Sequence, residues 1–290
     1  MPDEIMKFGD IAVMGAVQRR SLPSGGSRWP NCKAAVHRTA LALFASAFLL
    51  APAAQAAEDD ALKILKGMSD YLASQKTISL SYDSDIEVIT PEIQKIQFAS
   101  SGQVLLSRPD KLRATRTGGY ADVVIVFDGK TASVLGKNIN SFVQLDAPGT
   151  LEQLIDKLRN DYSVSLPGAD LLVSNAFAVL SPDVLHAAHI GQGVVNGFEC
   201  EHLAFRNEDT DWQLWVQTGD APIPRKYVIT SKTEAGAPQY TLVIREWKTD
   251  AQPSADAFAF KAPDGAKKLD AAALAGLDEV PPGLPMGEKK

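Results

Sequence analysis

Cysteine is almost absent from this chain: Cys32 and Cys200 are the two cysteines among 290 residues. Cys32 lies in an N-terminal stretch with the features of a removable signal, which would leave Cys200 alone. A single cysteine cannot form an intramolecular disulfide, even in an oxidising compartment. The stability of the fold must therefore come from the packing of its core.

Positive charge is also scarce. The chain has 29 Lys and Arg residues against 35 Asp and Glu, which gives a formal net charge of −6. No cluster of basic residues forms a stripe along the mature part of the sequence. Because proteins that bind DNA or RNA neutralise phosphates with clustered Lys and Arg, this composition excludes nucleic acid as an expected partner.

The motifs of the common enzyme classes are missing from the sequence. It has no G-x-S-x-G, no H-E-x-x-H and no P-loop. The glycine-rich stretch at 191–197, GQGVVNG, leads into a predicted strand rather than a helix, so it is not a phosphate-binding loop. The acids Asp83, Asp85 and Glu87 share one strand face with serines, as on a solvated surface. We therefore predict a protein that is not an enzyme and needs no cofactor.

The N-terminus has the three parts of a secretory signal peptide. Residues 1–38 carry six Lys or Arg against three acids, and the uncharged run TALALFASAFLLAPAA follows at 39–54. Ala54-Gln55-Ala56 supplies an A-x-A cleavage site. The sixteen residues of the run are fewer than the roughly 20 that span a bilayer, which argues against the alternative of a membrane anchor. Because no cysteine follows the run to carry a lipid, we predict a signal peptide over 1–56, cleavage after Ala56 and a periplasmic protein.

The spacing of apolar residues changes along the mature chain. Residues 58–75 have the spacing of an amphipathic helix. Residues 77–90 then alternate with period two, as in a long strand with one solvated face. A second helix is predicted at 149–163, where Thr150 and Gln153 can form a capping box.

Strands account for most of the remaining sequence. We predict about eleven in all, five of them from His189 onward, and a third helix near 168–180. Turns such as Asp128-Gly129 and Asn196-Gly197 are too short for crossover connections, so the sheet is predicted to be antiparallel. A strand as long as the one starting at residue 77 is expected to curve.

These elements predict an α+β fold. The expected architecture is a strongly curved antiparallel half-barrel of about eleven strands, with about three helices covering its concave face. No Gly/Ser-rich or Pro-rich linker interrupts it, so we expect one domain over 57–265. The Pro/Gly-rich segment 266–290 is predicted to be a loosely ordered tail.

His186, His189, Cys200 and His202 invite two chemical interpretations. Cys200 and His202 could act as a nucleophile and a base, but no glycine-rich turn or helix N-terminus beside them supplies an oxyanion site. All four together could hold zinc, provided that a helical turn and a strand converge. Their spacing matches no familiar metal motif, so the favoured interpretation is a small buried thiol beside a strand histidine, with metal binding as an alternative.

Several segments, taken in order, resemble the LolA/LolB-like superfamily of periplasmic carriers and, more narrowly, a family of predicted periplasmic proteins. They run from GQVLLSRPDKLRA at 102 through VIVFDGKTASVLGKNINSFVQLDAPGTLEQLIDKL and SLPGADLL to CEHLAFR, DWQLW and DAFAFKAPDGAKKL. The resemblance implies a half-barrel whose concave side is closed by helices like a lid. It also implies an apolar cavity that, in the carriers, accepts the acyl chains of lipoproteins.

The resemblance further implies a role for Arg108. In the lipoprotein carrier, an arginine of the R-P-x-x-F-R/N-W motif latches the lid, and Arg108 begins the matching stretch RPDKLRA. Leu112 and Ala114 stand where that motif has aromatic residues, which argues against lipoprotein transfer specifically. Arg108 is therefore the candidate lid latch.

The sequence as a whole predicts a monomeric, non-catalytic periplasmic carrier or binding protein for a hydrophobic, acyl-bearing ligand. A membrane-anchored donor or acceptor protein is a possible partner of such a carrier. The alternative is a chaperone-like module whose groove holds a partner protein's tail; an aromatic groove open along an edge would favour it. From strand parity, the predicted cavity wall is Leu80, Tyr82, Ile96, Phe98, Leu106, Trp212, Leu214 and Val228.

Overall fold

The computed structural model describes residues 51–276 of the chain. Of the predicted signal peptide, residues 1–50 lie outside the described part, and the predicted cleavage site after Ala56 falls within the first helix. Of the predicted C-terminal tail, residues 277–290 lie outside it. Within the described part, no helix is both long enough and apolar enough to span a bilayer.

Three α-helices and twelve strands make up the described fold. The helices are α1 (Ala51–Ser74), α2 (Leu151–Tyr162) and α3 (Ala176–Leu180), joined by short 3-10 helices at Ala169–Leu171 and Ala271–Gly276. The strands are β1 (Thr77–Ile89), β2 (Lys95–Ser107), β3 (Lys111–Gly118), β4 (Asp122–Phe127), β5 (Thr131–Gly136), β6 (Ser141–Asp146), β7 (His186–Val195), β8 (Phe198–Arg206), β9 (Thr210–Gln217), β10 (Pro224–Ser231), β11 (Gln239–Lys248) and β12 (Lys267–Lys268).

All twelve strands belong to one sheet. Their order is β12-β6-β5-β4-β3-β2-β1-β11-β10-β9-β8-β7, so two consecutive meanders meet at the β1–β11 pair. Every pair is antiparallel except β12 with β6, which is parallel. The sheet is open and curled, with register shifts in β1, β7 and β10. The predicted α+β half-barrel is confirmed.

The helices divide the concave face between them. α1 packs mainly on β7, at one end of the sheet, and buries Ala61, Leu65, Met68 and Leu72 at helical spacing. α2 covers the other half through Leu151, Leu154, Ile155 and Leu158. α2 begins with the predicted capping box of Thr150 and Gln153, and α3 is tied to α1 where the Phe177 amide donates to Ser69 Oγ at 2.9 Å.

The segment after residue 265 is part of the sheet and the core. The amide of Lys267 donates to the Asn140 carbonyl at 3.0 Å, and that of Leu269 donates to the Phe142 carbonyl at 2.8 Å. Leu274 is only 1% exposed and packs into the main core. The sequence predicts that these residues belong to a loosely ordered tail, because an Ala/Gly-rich stretch around a single leucine has neither helical nor strand periodicity. The structure differs from that prediction up to residue 276. One added strand therefore covers the outer edge of β6.

Candidate ligand cavity

A cavity of about 190 Å³ lies between the concave face of strands β1–β5 and β11 and the helical layer above it. Its floor includes one cross-strand row of side chains. In this row Trp247 pairs with Leu80, Leu80 with Val104, Val104 with Ala114, Ala114 with Ile125 and Ile125 with Val134. The register thus brings six residues, distant in sequence, into a continuous apolar strip.

The small side chain of Ala114 stands in the middle of this row. Its neighbours Val104 and Ile125 are branched, so the floor is lowest at Ala114. Ala114 is half-buried and lines the cavity. The position at which the carrier motif has an aromatic residue is therefore a place where this chain leaves space.

The roof of the cavity is formed by α2 and by the segment that follows it. We call residues 164–174 the lid segment; it contains the 3-10 helix Ala169–Leu171 and contributes Val164, Leu166 and Leu172 to the lining. Leu274 adds to the wall from the C-terminal 3-10 helix. Strands of both meanders and the C-terminal end of the described chain therefore surround a roofed apolar space.

The side chains of three residues hold the lid segment in place through polar contacts. Arg159 donates to Asp170 Oδ1 at 2.8 Å and to the Leu166 carbonyl at 3.0 Å. The Ser174 amide donates to Glu152 Oε1 at 2.7 Å. Burial acts to raise the pKa of Glu152, but amide hydrogen bonds to its carboxylate hold that pKa below the ordinary value.

Arg108, the candidate latch, is the third of these residues. Its Nη2 donates to the Val173 carbonyl at 3.2 Å, so the side chain reaches from the end of β2 to the lid segment. Its Nε is buried and has no hydrogen-bond partner among the described residues. Burial lowers the pKa of this guanidinium, and the negative charge of Glu152 acts in the opposite direction. Arg108 thus holds the lid segment through one hydrogen bond, while its buried Nε has no partner in the described part of the chain.

One end of the cavity is polar. Tyr82 extends from β1 across β2, where its hydroxyl donates to the Thr115 carbonyl at 3.2 Å. Gly102 makes this crossing possible, because a Cβ there would lie 2.5 Å from the Tyr82 ring carbon that bears the hydroxyl. Burial raises the pKa of Tyr82 to about 12 and raises that of Tyr240 as well. Arg116 lines the cavity beside these two tyrosines.

The predicted wall residues fall into three groups. Leu80 and Tyr82 line the cavity. Leu106, Trp212 and Leu214 lie in the solid core instead, each at most 4% exposed. For Trp212 and Leu214 the reason is that α1 fills the half of the concave face to which they belong, so facing inward does not place a residue at the cavity.

The other three predicted residues lie away from the cavity. Phe98 borders a much smaller space of about 10 Å³ and packs edge-on against Tyr120. Ile96, on the same strand, is half-buried and does not reach the main cavity. Val228 pairs with Gln213, whereas Leu214 pairs with Tyr227, so Val228 points to the opposite face of the sheet. Because strand β10 has apolar residues on both faces, its alternation does not indicate which face points inward.

The metal-site hypothesis for His186, His189, Cys200 and His202 is wrong. His189 pairs with Leu203 and contacts Glu201, at 2.7 Å, on the inner face. His202 lies on the outer face, where it stacks on Trp215 with ring centroids 4.1 Å apart. Cys200 is buried, and burial raises the pKa of its thiol. Throughout residues 51–276, no group of three or more His, Cys, Asp or Glu is placed to hold a metal ion.

Most of the cavity lining was missed by the sequence analysis. The helical period of α2 and the alternation of Leu112, Ala114 and Arg116 both carry the necessary signal. Neither pattern indicates which half of the sheet each helix covers. The missed residues include Val104, Val123, Ile125, Val134, Leu154, Ile155, Leu158, Tyr240, Leu242, Ile244, Trp247 and Leu274.

A sequence model of the family described as "Predicted periplasmic protein (DUF2092)" matches residues 61–271. This chain belongs to that family. The match begins in α1 and ends at the start of the C-terminal 3-10 helix, so it includes all of the cavity lining except Leu274. The resemblance to predicted periplasmic proteins is thereby confirmed. A comparison with curated protein sequences finds no significant match.

Solved structures of similar fold share little sequence with this member of the family. An uncharacterized conserved protein from Thermus thermophilus is 13% identical, with 73% of this chain and 99% of that chain covered and a TM-score of 0.42. The Pseudomonas aeruginosa MucA/MucB complex gives 13% identity, 70% and 62% coverage and a TM-score of 0.41. LprF from Mycobacterium bovis gives 11% identity, 72% and 98% coverage and a TM-score of 0.39.

Proposed function

We propose that this protein is a periplasmic carrier or binding protein for a hydrophobic, acyl-bearing ligand and that it works without catalysis. The observation that carries the proposal is the apolar strip across β1–β5, roofed by α2 and the lid segment but not filled by them. Most of the lining is aliphatic, which suits an alkyl chain.

The energetics of such binding follow from the apolar area available. Each methylene removed from water contributes about 0.8 kcal/mol, so ten methylenes contribute roughly 8 kcal/mol before the cost of immobilising the ligand. The cavity of about 190 Å³ slightly exceeds the roughly 150 Å³ of an apolar cavity known to hold benzene. It therefore fits part of one chain as it stands, and a longer ligand requires the lid segment to move.

The interaction-module alternative is less well supported by the lining. Of the residues that line the cavity in the described chain, Tyr82, Tyr240 and Trp247 are aromatic and the rest are mostly aliphatic. Recognition of a protein tail would favour aromatic anchors and backbone hydrogen-bonding groups. An alkyl chain needs neither.

Native mass spectrometry of protein purified from the periplasm tests the proposal directly. We expect a mass that corresponds to cleavage after Ala56 and to a monomer, with a reproducible bound amphiphile that is recovered by lipid extraction. A membrane-anchored donor or acceptor would then be sought by crosslinking the loaded protein. Protein that is empty after purification and that binds no member of a lipid panel would overturn the carrier function.

Filling the floor of the cavity should block binding. We expect Ala114→Phe to weaken alkyl-ligand binding at least tenfold, a loss of about 1.4 kcal/mol, because the ring occupies the lowest part of the strip. Displacement of a neutral fluorescent probe such as N-phenyl-1-naphthylamine measures this. The matched control is Ala204→Phe, since Ala204 pairs with Gln213 on the opposite face of the sheet. Equal affinities for the two variants would contradict the assignment of the cavity.

Removing the Arg108 tether should make the lid segment open more often. A hydrogen bond from a charged donor contributes about 1.5–3 kcal/mol, so Arg108→Met is expected to speed amide exchange in the lid segment at least tenfold. Global stability should change little, because the substitution also removes a buried, unsatisfied Nε. Hydrogen exchange at Leu171, Leu172 and Ser174 provides the measurement, since their amides are hydrogen-bonded in the closed form.

The control for this experiment is another arginine of the sheet. Arg245→Met breaks an exposed ion pair with Asp83, whose carboxylate lies 2.5 Å from Arg245 Nε, and Arg245 does not line the cavity. Exchange in the lid segment should not respond to it. If Arg108→Met leaves exchange there unchanged as well, Arg108 is not the latch.

A further inference from the structure

The cavity has a single charged residue in its lining. Among the described residues that border it, Arg116 is cationic and none is acidic. Arg116 shares the inward-facing parity of Leu112 and Ala114 on β3, so its side chain starts from the floor of the cavity rather than from the rim of the lid segment. It also borders the small neighbouring space next to Phe98. A positive charge therefore flanks the apolar strip, two residues along β3 from Ala114.

Arg116 is accompanied by two phenolic hydroxyls. Burial raises the pKa of both Tyr82 and Tyr240, and the positive charge of Arg116 acts to lower both, which places the guanidinium close to the two rings. Ser84 forms a hydrogen bond with Tyr240 and thereby extends the polar group. Phenols are neutral at physiological pH, and the raised pKa values keep both tyrosines so. Each can donate one hydrogen bond to an anion, which for Tyr82 means giving up its bond to the Thr115 carbonyl.

Arg116 has an interaction of its own within the chain. A guanidinium presents five N–H donors in a fixed planar array and can bind a carboxylate through two of them. An incoming anionic group can therefore bind beside the existing partner or in its place. Partial removal from water strengthens such an interaction relative to the same pair on an open surface.

We propose that Arg116 binds the head group of the ligand and that the ligand is a single-chain amphiphile of the long-chain carboxylate class. This inference rests on the proposed carrier function and specifies its substrate. The alkyl chain would lie along the strip from Ala114 towards Val134, and the carboxylate would meet Arg116, Tyr82 and Tyr240. One cation balances one carboxylate, whereas a phosphate monoester brings a charge of about −1.5 to −2. The volume of about 190 Å³ also suits one chain better than the several chains of an acylated lipoprotein.

The test compares two ligands with the same alkyl chain, one with an anionic and one with a neutral head group. Dodecanoate and its methyl ester are titrated against wild-type protein by displacement of N-phenyl-1-naphthylamine, which is itself neutral. We expect wild type to prefer dodecanoate about tenfold at pH 7.5. Arg116→Gln should abolish that preference by weakening dodecanoate binding while leaving the ester unchanged, and Arg116→Lys should retain part of it.

The matched control is Arg113→Gln. Arg113 lies on the same strand with the opposite parity and does not line the cavity, so its replacement should leave the preference intact. A wild-type protein that binds both ligands equally overturns the head-group proposal and leaves the carrier function standing. So does an Arg116→Gln protein that keeps the preference.

Two further arms keep the test decisive. Dodecyl phosphate measures the alternative anion; tighter binding of dodecyl phosphate than of dodecanoate overturns the carboxylate assignment. If Arg116→Gln fails to fold, as judged by circular dichroism, the wild-type preference still provides a result. It should decline as the pH is lowered through the carboxyl pKa of the ligand, and a preference that does not change with pH overturns the proposal. Failure of wild type to bind any of the ligands instead overturns the carrier function itself.

Discussion

Replacing Gly102 with alanine is expected to destabilise the protein by about 3 kcal/mol, near the upper end for overpacking a tight site. A Cβ at this position would lie 2.2 Å from the Thr115 carbonyl oxygen and 2.5 Å from the hydroxyl end of Tyr82. The tyrosine could turn away, but the carbonyl belongs to the neighbouring strand and can shift only with its backbone. We expect a fall in Tm of roughly 6–12 °C, measured by thermal denaturation.

Gly67→Ala is the matched control, with an effect of opposite sign. Gly67 lies exposed within α1, and a Cβ there would meet no atom within 4 Å. Alanine in a helix interior is favoured over glycine by about 0.5–1 kcal/mol, so this variant should be slightly more stable than wild type. If the two glycine variants were equally stable, the close crossing of Tyr82 over β2 would be wrong.

Leu214→Ala is expected to cost about 2–5 kcal/mol, the usual range for a fully buried leucine. Leu214 is 0% exposed in the core under α1 and does not border the cavity. Ligand affinity should therefore remain within about twofold of wild type at temperatures where the variant is folded. Chemical denaturation and probe displacement on the same sample separate the two effects.

Leu185→Ala serves as the control for this loss of stability. Leu185 is 67% exposed, so the same substitution there should change stability by no more than about 0.5 kcal/mol. The result to look for is a contrast with Ala114→Phe, which should lose binding and keep most of its stability. A Leu214→Ala protein that loses binding while staying fully stable would place Leu214 in the cavity wall, as strand parity alone suggested.

The elements of the fold could be predicted well because local patterns specify them. The alternation at 77–90 predicts β1 at Thr77–Ile89, and the capping box of Thr150 and Gln153 marks the start of α2. Asn196 and Gly197 both take positive φ angles in the β7–β8 hairpin, as an Asn-Gly turn requires. In each case a few neighbouring residues contain the whole signal.

The position of the cavity could not be predicted in the same way. Parity indicates that Leu80 and Trp212 both face inward, but it does not indicate that α1 packs over Trp212 while a hollow remains near Leu80. That difference depends on contacts between elements far apart in sequence. Leu274 likewise reaches the cavity wall because the C-terminal 3-10 helix packs against the core, and no local sequence pattern indicates that contact.

The central seam of the sheet has a consequence for the order in which the chain can assemble. Among the described strands β1 is synthesised first, yet its partner β11 begins only at Gln239. Until then β1 keeps an exposed hydrogen-bonding edge, of the kind that promotes association between chains. The half formed by β1–β6 can assemble from neighbouring hairpins, whereas joining it to β7–β11 requires closing a long loop. Chains truncated before β11 should therefore be the species most prone to aggregate.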